Sequence, residues 1–276
     1  MRSLLSCLAL LGLSLAAPPA LPSSKNVPSE LIMGGHRAHQ GNFPFYVSLI
    51  DIACGGSLIT PKHVLTAAHC MGDDTVGTRA VMGLDDKETY EKEEGVQIRK
   101  IINVISHTGF NTNDWHDDIA IVEVDEPFEI SNTVELTKIK ANDTELQKMY
   151  WTAVVGFGVA KIIKNDDGTF SGDYPRYLQY AYIPLIDHDR CFQRWSILWD
   201  KQVCAGGEKE GTGPGDSGGP MSILDDGKFF QIGLVSYGSA SAVELQNQAK
   251  TPVVYTRTAS YCDWMNEKTN GAFQCL

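Results

Sequence analysis

Apolar residues in this chain fall into short runs, many alternating with polar residues, and Gly, Pro, Asp and Asn separate the runs. Alternation with a period of two marks a half-buried strand, because successive side chains leave the backbone on opposite faces. The pattern predicts strands over 46–50, 56–60, 63–66, 96–104, 119–124, 151–156, 178–183, 229–236 and 253–256. Asp225-Asp226-Gly227, between two apolar runs, reads as a hairpin turn. One helix is expected near the C-terminus. Tyr261, Trp264 and Met265 share a face at i, i+3 and i+4, Ser260 and Asp263 fit a capping box, and Asn270-Gly271 supplies a stop. The stretch 129–148 is polar without alternation and is the expected linker between two halves of similar size. No repeat or low-complexity tract is present. Many short strands with frequent turns predict an all-β sandwich or barrel.

Composition narrows this further. A length of 276 residues allows one large domain or two ordinary ones, and 43% hydrophobic with 21% charged residues is a globular balance. The formal net charge of -11, with no Lys/Arg run, argues against a nucleic-acid or anionic-membrane partner. Arg2, the apolar stretch 4–17 and the small residues of Ser14-Leu15-Ala16 read as an export signal cut after Ala16. That stretch is short of the roughly 20 residues that span a bilayer, so a secreted protein without a membrane anchor is expected. Of the 7 cysteines, Cys7 lies in the signal. The others are Cys54, Cys70, Cys191, Cys204, Cys262 and Cys275, an even number that suggests three disulfides in an oxidising compartment. No CxxC or HExxH occurs, so no metal site is expected. Asn142-Asp143-Thr144 is a glycosylation sequon.

Three segments carry chemistry: Leu65-Thr66-Ala67-Ala68-His69-Cys70, Asp117-Asp118-Ile119-Ala120-Ile121, and Gly213-Pro214-Gly215-Asp216-Ser217-Gly218-Gly219-Pro220. A serine hydroxyl is a weak nucleophile that needs a base in hydrogen-bond reach, and the base needs a fixed tautomer. Ser217 sits among glycines, which permit tight turns and close approach to a substrate. Such a turn can aim the Gly215 and Ser217 amides at one point as an oxyanion hole, where losing one donor costs about 3 kcal/mol. His69 is the expected base and Asp118 its orienting carboxylate. Alone, each segment reads as an ordinary turn or strand end. Together, in this order and in a β-rich exported chain, they argue for a nucleophilic hydrolase.

From Ile32 to the C-terminal helix the chain resembles the chymotrypsin-like (trypsin-fold) serine proteases. Thr66 to Cys70 is similar to the family's histidine motif, Asp118-Ile119-Ala120 to its aspartate motif and Gly215 to Pro220 to its serine motif. The resemblance implies two six-stranded antiparallel β-barrels with a C-terminal α-helix and an active site between them. The implied divisions are a signal peptide over 1–16, a propeptide over 17–31 and a peptidase domain over 32–276, its barrels at about 32–140 and 141–276. Cys54–Cys70 and Cys191–Cys204 match family disulfides, and Cys262–Cys275 follows by default. Ile32-Met33-Gly34-Gly35 looks like the family's mature N-terminus, which implies a zymogen. Cleavage after Leu31 would free the Ile32 amine to pair with Asp216, a buried ion pair whose value is as a switch. Gly213 stands where the family usually has a pocket-loop Cys, and its partner Cys is also missing.

The same resemblance places substrate-binding residues at Gly211, Ser236, Tyr237, Gly238 and Val253. Gly211 occupies the specificity position where trypsin-like members carry Asp, and adjacent Glu210 is expected to face solvent. Without a buried anion, Arg and Lys are disfavoured at P1 (the substrate residue before the cleaved bond). Val253 should shorten the pocket, so an uncharged small-to-medium apolar P1 such as Ala, Val, Leu or Met is expected. Leu31 then makes self-activation an expectation. The acidic loop 85–94 is similar to a calcium loop of some members, although its carboxylates match poorly and a solvated loop is the expectation. The implied function is a secreted serine endopeptidase acting on proteins or peptides, monomeric, without cofactor, and open to protein inhibitors. A protease-like binding protein that no longer catalyses is the competing expectation, but such relatives lose a triad member or the glycine motif. An esterase would use the same residues, and the strand at 236–238 favours peptide substrates.

Overall fold

A computed structural model describes residues 32–276. The expected signal (1–16), propeptide (17–31), Leu31 and Cys7 lie outside the described residues. In chain order the strands are β1 (His36–Arg37), β2 (Tyr46–Leu49), β3 (Cys54–Thr60), β4 (His63–Thr66), β5 (Arg79–Met82), β6 (Gln97–Ser106) and β7 (Ala120–Val124). There follow β8 (Trp151–Gly156), β9 (Lys161–Lys164), β10 (Phe170–Asp173), β11 (Gln179–Ile186), β12 (Gln202–Ala205), β13 (Pro220–Asp225), β14 (Lys228–Tyr237) and β15 (Val253–Arg257). Four short helices are α1 (Thr144–Gln147), α2 (His188–Arg194), α3 (Ala242–Leu245) and α4 (Cys262–Lys268).

These strands close into two antiparallel six-stranded barrels. The first has the order β2-β3-β4-β7-β6-β5 and returns to β2 through β5. The second runs β11-β12-β15-β14-β13-β8 and closes through β8 and β11, so neither barrel keeps a long open edge. Each is filled by its inward-facing residues. Val47, Leu58, Val64, Met82 and Val122 pack inside the first, and Val154, Ile183, Met221, Ile232 and Tyr255 inside the second. In β11 burial alternates over Gln179, Tyr180, Ala181, Tyr182 and Ile183, the period expected of a barrel wall. The Asp226-Gly227 turn joins β13 to β14 with both residues at positive φ (47° and 70°), the twist-matched hairpin geometry.

A third apolar cluster joins the barrels. Ile59, Leu65, Ile119 and Ile121 of the first barrel pack with Leu234 of β14 and with Tyr261 and Met265. Helix α4 thus serves the inter-barrel core, and Trp264 packs against that cluster partly buried. No side-chain cap forms at its start, so Ser260 and Asp263 make no capping box; a 3₁₀ turn, Thr258–Tyr261, leads in instead. Asn270 and Gly271 end it with positive φ and return N–H bonds to Glu267 and Asn266. The acidic loop also docks across the barrels. Asp86 pairs with Arg176 and forms an isolated bridge with Tyr177, and Asp85 pairs with Arg37.

The pattern-based strands match β2, β3, β4, β6, β7, β8, β11, β14 and β15 within a few residues. Six others escaped it. β9 and β10 form a separate, largely exposed hairpin, β12 opens with a buried Gln202, and β13 opens on a proline. The first-barrel boundary at 32 needs correction. β1 pairs with β11, and Ile32 is fully buried in the second-barrel core. The expected linker 129–148 is irregular apart from α1. All six described cysteines pair as Cys54–Cys70, Cys191–Cys204 and Cys262–Cys275.

Leu234 is fully buried where the barrels meet. Leu234→Ala should lower the unfolding free energy by about 3 kcal/mol, measured by urea denaturation.

Candidate active site

His69 and Asp118 are set by adjacent strands. β4 pairs with β7 so that Thr66 lies opposite Ala120, at the end of one strand and the start of the other. Beyond Thr66 a 3₁₀ turn, Ala68–Cys70, carries His69, and the Cys54–Cys70 disulfide ties the turn back to β3. Asp118 immediately precedes the buried β7 run. Its Oδ1 accepts the His69 backbone N–H at 2.9 Å, and its Oδ2 lies 2.8 Å from His69 Nδ1. The Ser236 hydroxyl of β14 donates to the same Oδ2 at 2.6 Å, and Thr256 Oγ1 of β15 donates to the Asp118 carbonyl at 2.8 Å. The carboxylate is completely buried. It holds the imidazole proton on Nδ1 and leaves Nε2 as the basic nitrogen.

Asp117 turns elsewhere. Its φ is +52°, its Oδ1 accepts the Tyr261 hydroxyl at 3.0 Å, and Lys201 Nζ lies 3.4 Å away.

Ser217 is held by close backbone packing. Gly55 N donates to the Ser217 carbonyl at 2.8 Å, and Gly218 N donates to the Val235 carbonyl. A Cβ on Gly218 would come within 2.7 Å of the Gly55 oxygen and 2.9 Å of the Ala67 nitrogen. Only glycine lets the segment after Ser217 press on the chain leading to His69. Gly215 has φ +95° and lies against Gly158, where a Cβ would meet that residue's Cα at 3.0 Å. Among the described residues neither the Gly215 nor the Ser217 amide donates a hydrogen bond, and none joins the Ser217 hydroxyl to His69. Both amides are thus without an acceptor among the described residues, and unbound sites often tighten only around substrate.

Asp216 points inward. It is buried, and its carboxylate accepts the Gly158 N–H at 2.8 Å and the Gly213 N–H at 2.9 Å. Burial pushes its pKa up to about 6, against the opposing effect of those two donors. Among the described residues it has no cationic partner.

A cleft of about 210 Å³ opens beside Ser217, lined by Thr212, Gly213, Val235, Ser236, Tyr237, Gly238, Leu245 and Val253 among others. A Cβ on Gly238 would come within 3.1 Å of Val253 Cγ2, so the Val253 side chain packs directly against Gly238 at the cleft wall. Gly211 is not a lining residue; the buried Gln248 side chain lies against it. Glu210 is half-buried beside Gly207 and Gly34 rather than free in solvent, and burial raises its pKa. A larger groove of about 680 Å³ along α2 and β12 shares no lining residue with the cleft. Asn142 is exposed, its Oδ1 accepting the Thr144 N–H.

The sequence reading passed over Trp115, whose ring lies 5.4 Å from that of His69 and 5.7 Å from that of Tyr237. An aromatic residue directly after the polar run Asn111-Thr112-Asn113-Asp114 was its only signal. Thr212 and Leu245, which line the cleft, and Gln248, which packs against Gly211, gave none, since their places are set by the tertiary fold.

Comparison with known proteins gives a consistent result. The family model described as Trypsin matches residues 32–265. Rat (Rattus norvegicus) chymotrypsin-C is 36% identical over 262 residues, covering 91% of this chain and 92% of that protein. The mouse (Mus musculus) protein of the same name is 34% identical over 252 residues, covering 87% and 89%. The cattle (Bos taurus) one is 32% identical with the same coverage.

The raised Asp216 pKa has a stability consequence for the chain with the Leu31–Ile32 bond intact. A carboxyl that titrates near 6 when folded and near 3.8 otherwise binds more protons in the folded state. Its stabilising contribution is fully present below about pH 4 and is lost as pH rises through about 6. In a Ser217→Ala background, Asp216→Asn should therefore gain stability relative to Asp216 across that window, read as thermal midpoints from pH 4 to 7.

Proposed function

Since the chain belongs to the trypsin family of serine endopeptidases, we propose that it cleaves peptide bonds through His69, Asp118 and Ser217 with an uncharged apolar P1 residue. The observation that carries this reading is the buried Asp118 carboxylate bonded to His69 Nδ1 and the His69 amide, together with Gly215 and Ser217 amides that have no acceptor among the described residues. In the proposed reaction Ser217 Oγ attacks the scissile carbonyl while His69 Nε2 takes its proton. The Gly215 and Ser217 amides receive the oxyanion. His69 then protonates the leaving amine, and water releases the acyl group by the reverse proton path. Asp118 keeps the imidazole in the required tautomer, and the Ser236 hydroxyl steadies Asp118.

The cleft supports the P1 assignment. It carries no charged lining residue, and Val253 narrows it beside Gly238. A misfit of one methylene changes selectivity by about 1–3 kcal/mol, so the preference is graded. Three disulfides fit an oxidising compartment and so support secretion. Exposed Asn142 can accept a glycan. Activation is assigned to cleavage between Leu31 and Ile32, after which the new amine would neutralise Asp216. A pocket that accepts Leu would let the mature enzyme perform that cut.

Protein beginning at Ile32 should cleave a peptide library after Ala, Val, Leu or Met and not after Arg or Lys, and Ser217→Ala should abolish cleavage. Asp118→Asn should lower kcat by about 10⁴-fold with the fold retained, measured on the best library peptide. Absence of cleavage by folded wild-type protein would make a non-catalytic binding role the better reading. Zymogen incubated with trace mature enzyme should be converted at Leu31–Ile32, read by N-terminal sequencing; zymogen that stays intact would assign activation to another protease.

A further inference from the structure

We propose that Gln248 sets the depth of the specificity cleft, its side-chain amide filling the space that a side chain at position 211 would otherwise occupy. The inference rests on the endopeptidase reading, which makes the cleft beside Ser217 the P1 pocket.

The placement of Gln248 follows from the backbone. Residues 246–249 run beside 207–209: Lys209 N donates to the Gln246 carbonyl, Ala249 N donates to the Gly207 carbonyl, and Glu208 bridges Asn247. This pairing wedges Gln248 between two glycines. A Cβ on Gly206 would come within 2.6 Å of the Gln248 carbonyl oxygen. A Cβ on Gly211 would lie 2.9 Å from Gln248 Nε2 and closer still to Oε1. Neither glycine can carry a side chain while Gln248 stays in place.

The amide is also oriented. Gln248 Nε2 donates to the Thr212 carbonyl at 2.6 Å, and Thr212 lines the cleft. That bond turns Oε1 toward Gly211, where it is buried with no hydrogen-bond donor among the described residues. The Gly211 N–H is already taken by the Met33 carbonyl. A buried amide oxygen without a donor costs free energy, so Gln248 is not there to complete a hydrogen-bond network. Its volume and its hold on Thr212 remain as its contribution. Thr212 and Val253 line the cleft, whereas Gly211 and the Gln248 side chain packed against it do not. The side chain at 211, which trypsin-like members use to read P1, is absent, and a side chain from a different loop stands in its place.

The test uses protein beginning at Ile32 and peptides that differ only at P1. Gln248→Ala removes the plug and should raise kcat/KM for Phe and Tyr relative to Val and Leu by about tenfold. Gln248→Met, apolar and of similar length, should keep the wild-type ranking and so assign the effect to volume. Gln248→Asn is one methylene shorter and should move the ranking the same way as Ala, by less. It carries the test if Gln248→Ala fails to fold. A folded Gln248→Ala protein with the wild-type ranking overturns the proposal, as does an unmoved Gln248→Asn protein when the Ala variant does not fold. A folded wild type that cleaves nothing the Ser217→Ala control leaves intact overturns the endopeptidase reading and this proposal with it.

Discussion

A carboxylate shut away from water is stable only if hydrogen bonds replace its hydration, and the arrangement around Asp118 follows from that requirement. Its partners come from both barrels. His69 supplies two contacts to the carboxylate from the first, Ser236 supplies one from the second, and Thr256 of the second barrel holds the Asp118 backbone carbonyl. Neither barrel alone can satisfy the residue, so docking of the barrels and assembly of the site are one event. The apolar cluster of Ile59, Leu65, Ile121 and Leu234 gives that docking its driving force. The backbone before Asp118 is governed by the same contact. Asp117 is held in a left-handed conformation, and Tyr261 and Lys201, from the second half of the chain, grip its side chain.

A related economy operates at Asp216. Its carboxylate gathers the amides of Gly158 and Gly213 from separate loops. Gly213 carries no cysteine, and its amide is held by this buried carboxylate beside Ser217. The electrostatic state of one carboxyl therefore bears directly on the loop that presents the Gly215 and Ser217 amides.

What the sequence made legible follows from how tightly chemistry restricts residue type. His69, Asp118 and Ser217 stand out because few side chains suit the proposed roles of base, orienter and nucleophile, and the glycines flanking Ser217 are imposed by backbone contact. Most matched barrel strands are buried on both faces and announced themselves as short apolar runs, whereas β11 did so by alternation. β12 did not, since its Gln202 is buried and bonds the Trp115 carbonyl. Trp115 and Gln248 stayed hidden for a different reason. Their places depend on where a loop lands after two barrels have docked, and no local pattern encodes that. The capping box at Ser260 shows the converse: the local signal was present, and the 3₁₀ lead-in made the bond unnecessary.

The three disulfides are all local, spanning 16, 13 and 13 residues, and none crosses from one barrel to the other. The backbone passes between the barrels twice, from β1 on the second to β2 of the first and again between β7 and β8, where much of the connection is exposed. A single nick there would turn the protein into a two-chain complex with its active centre at the subunit boundary. Such a complex would hold together in water through Asp118, the Asp86–Arg176 pair and the shared apolar cluster. In denaturant it would separate into two fragments without any reductant.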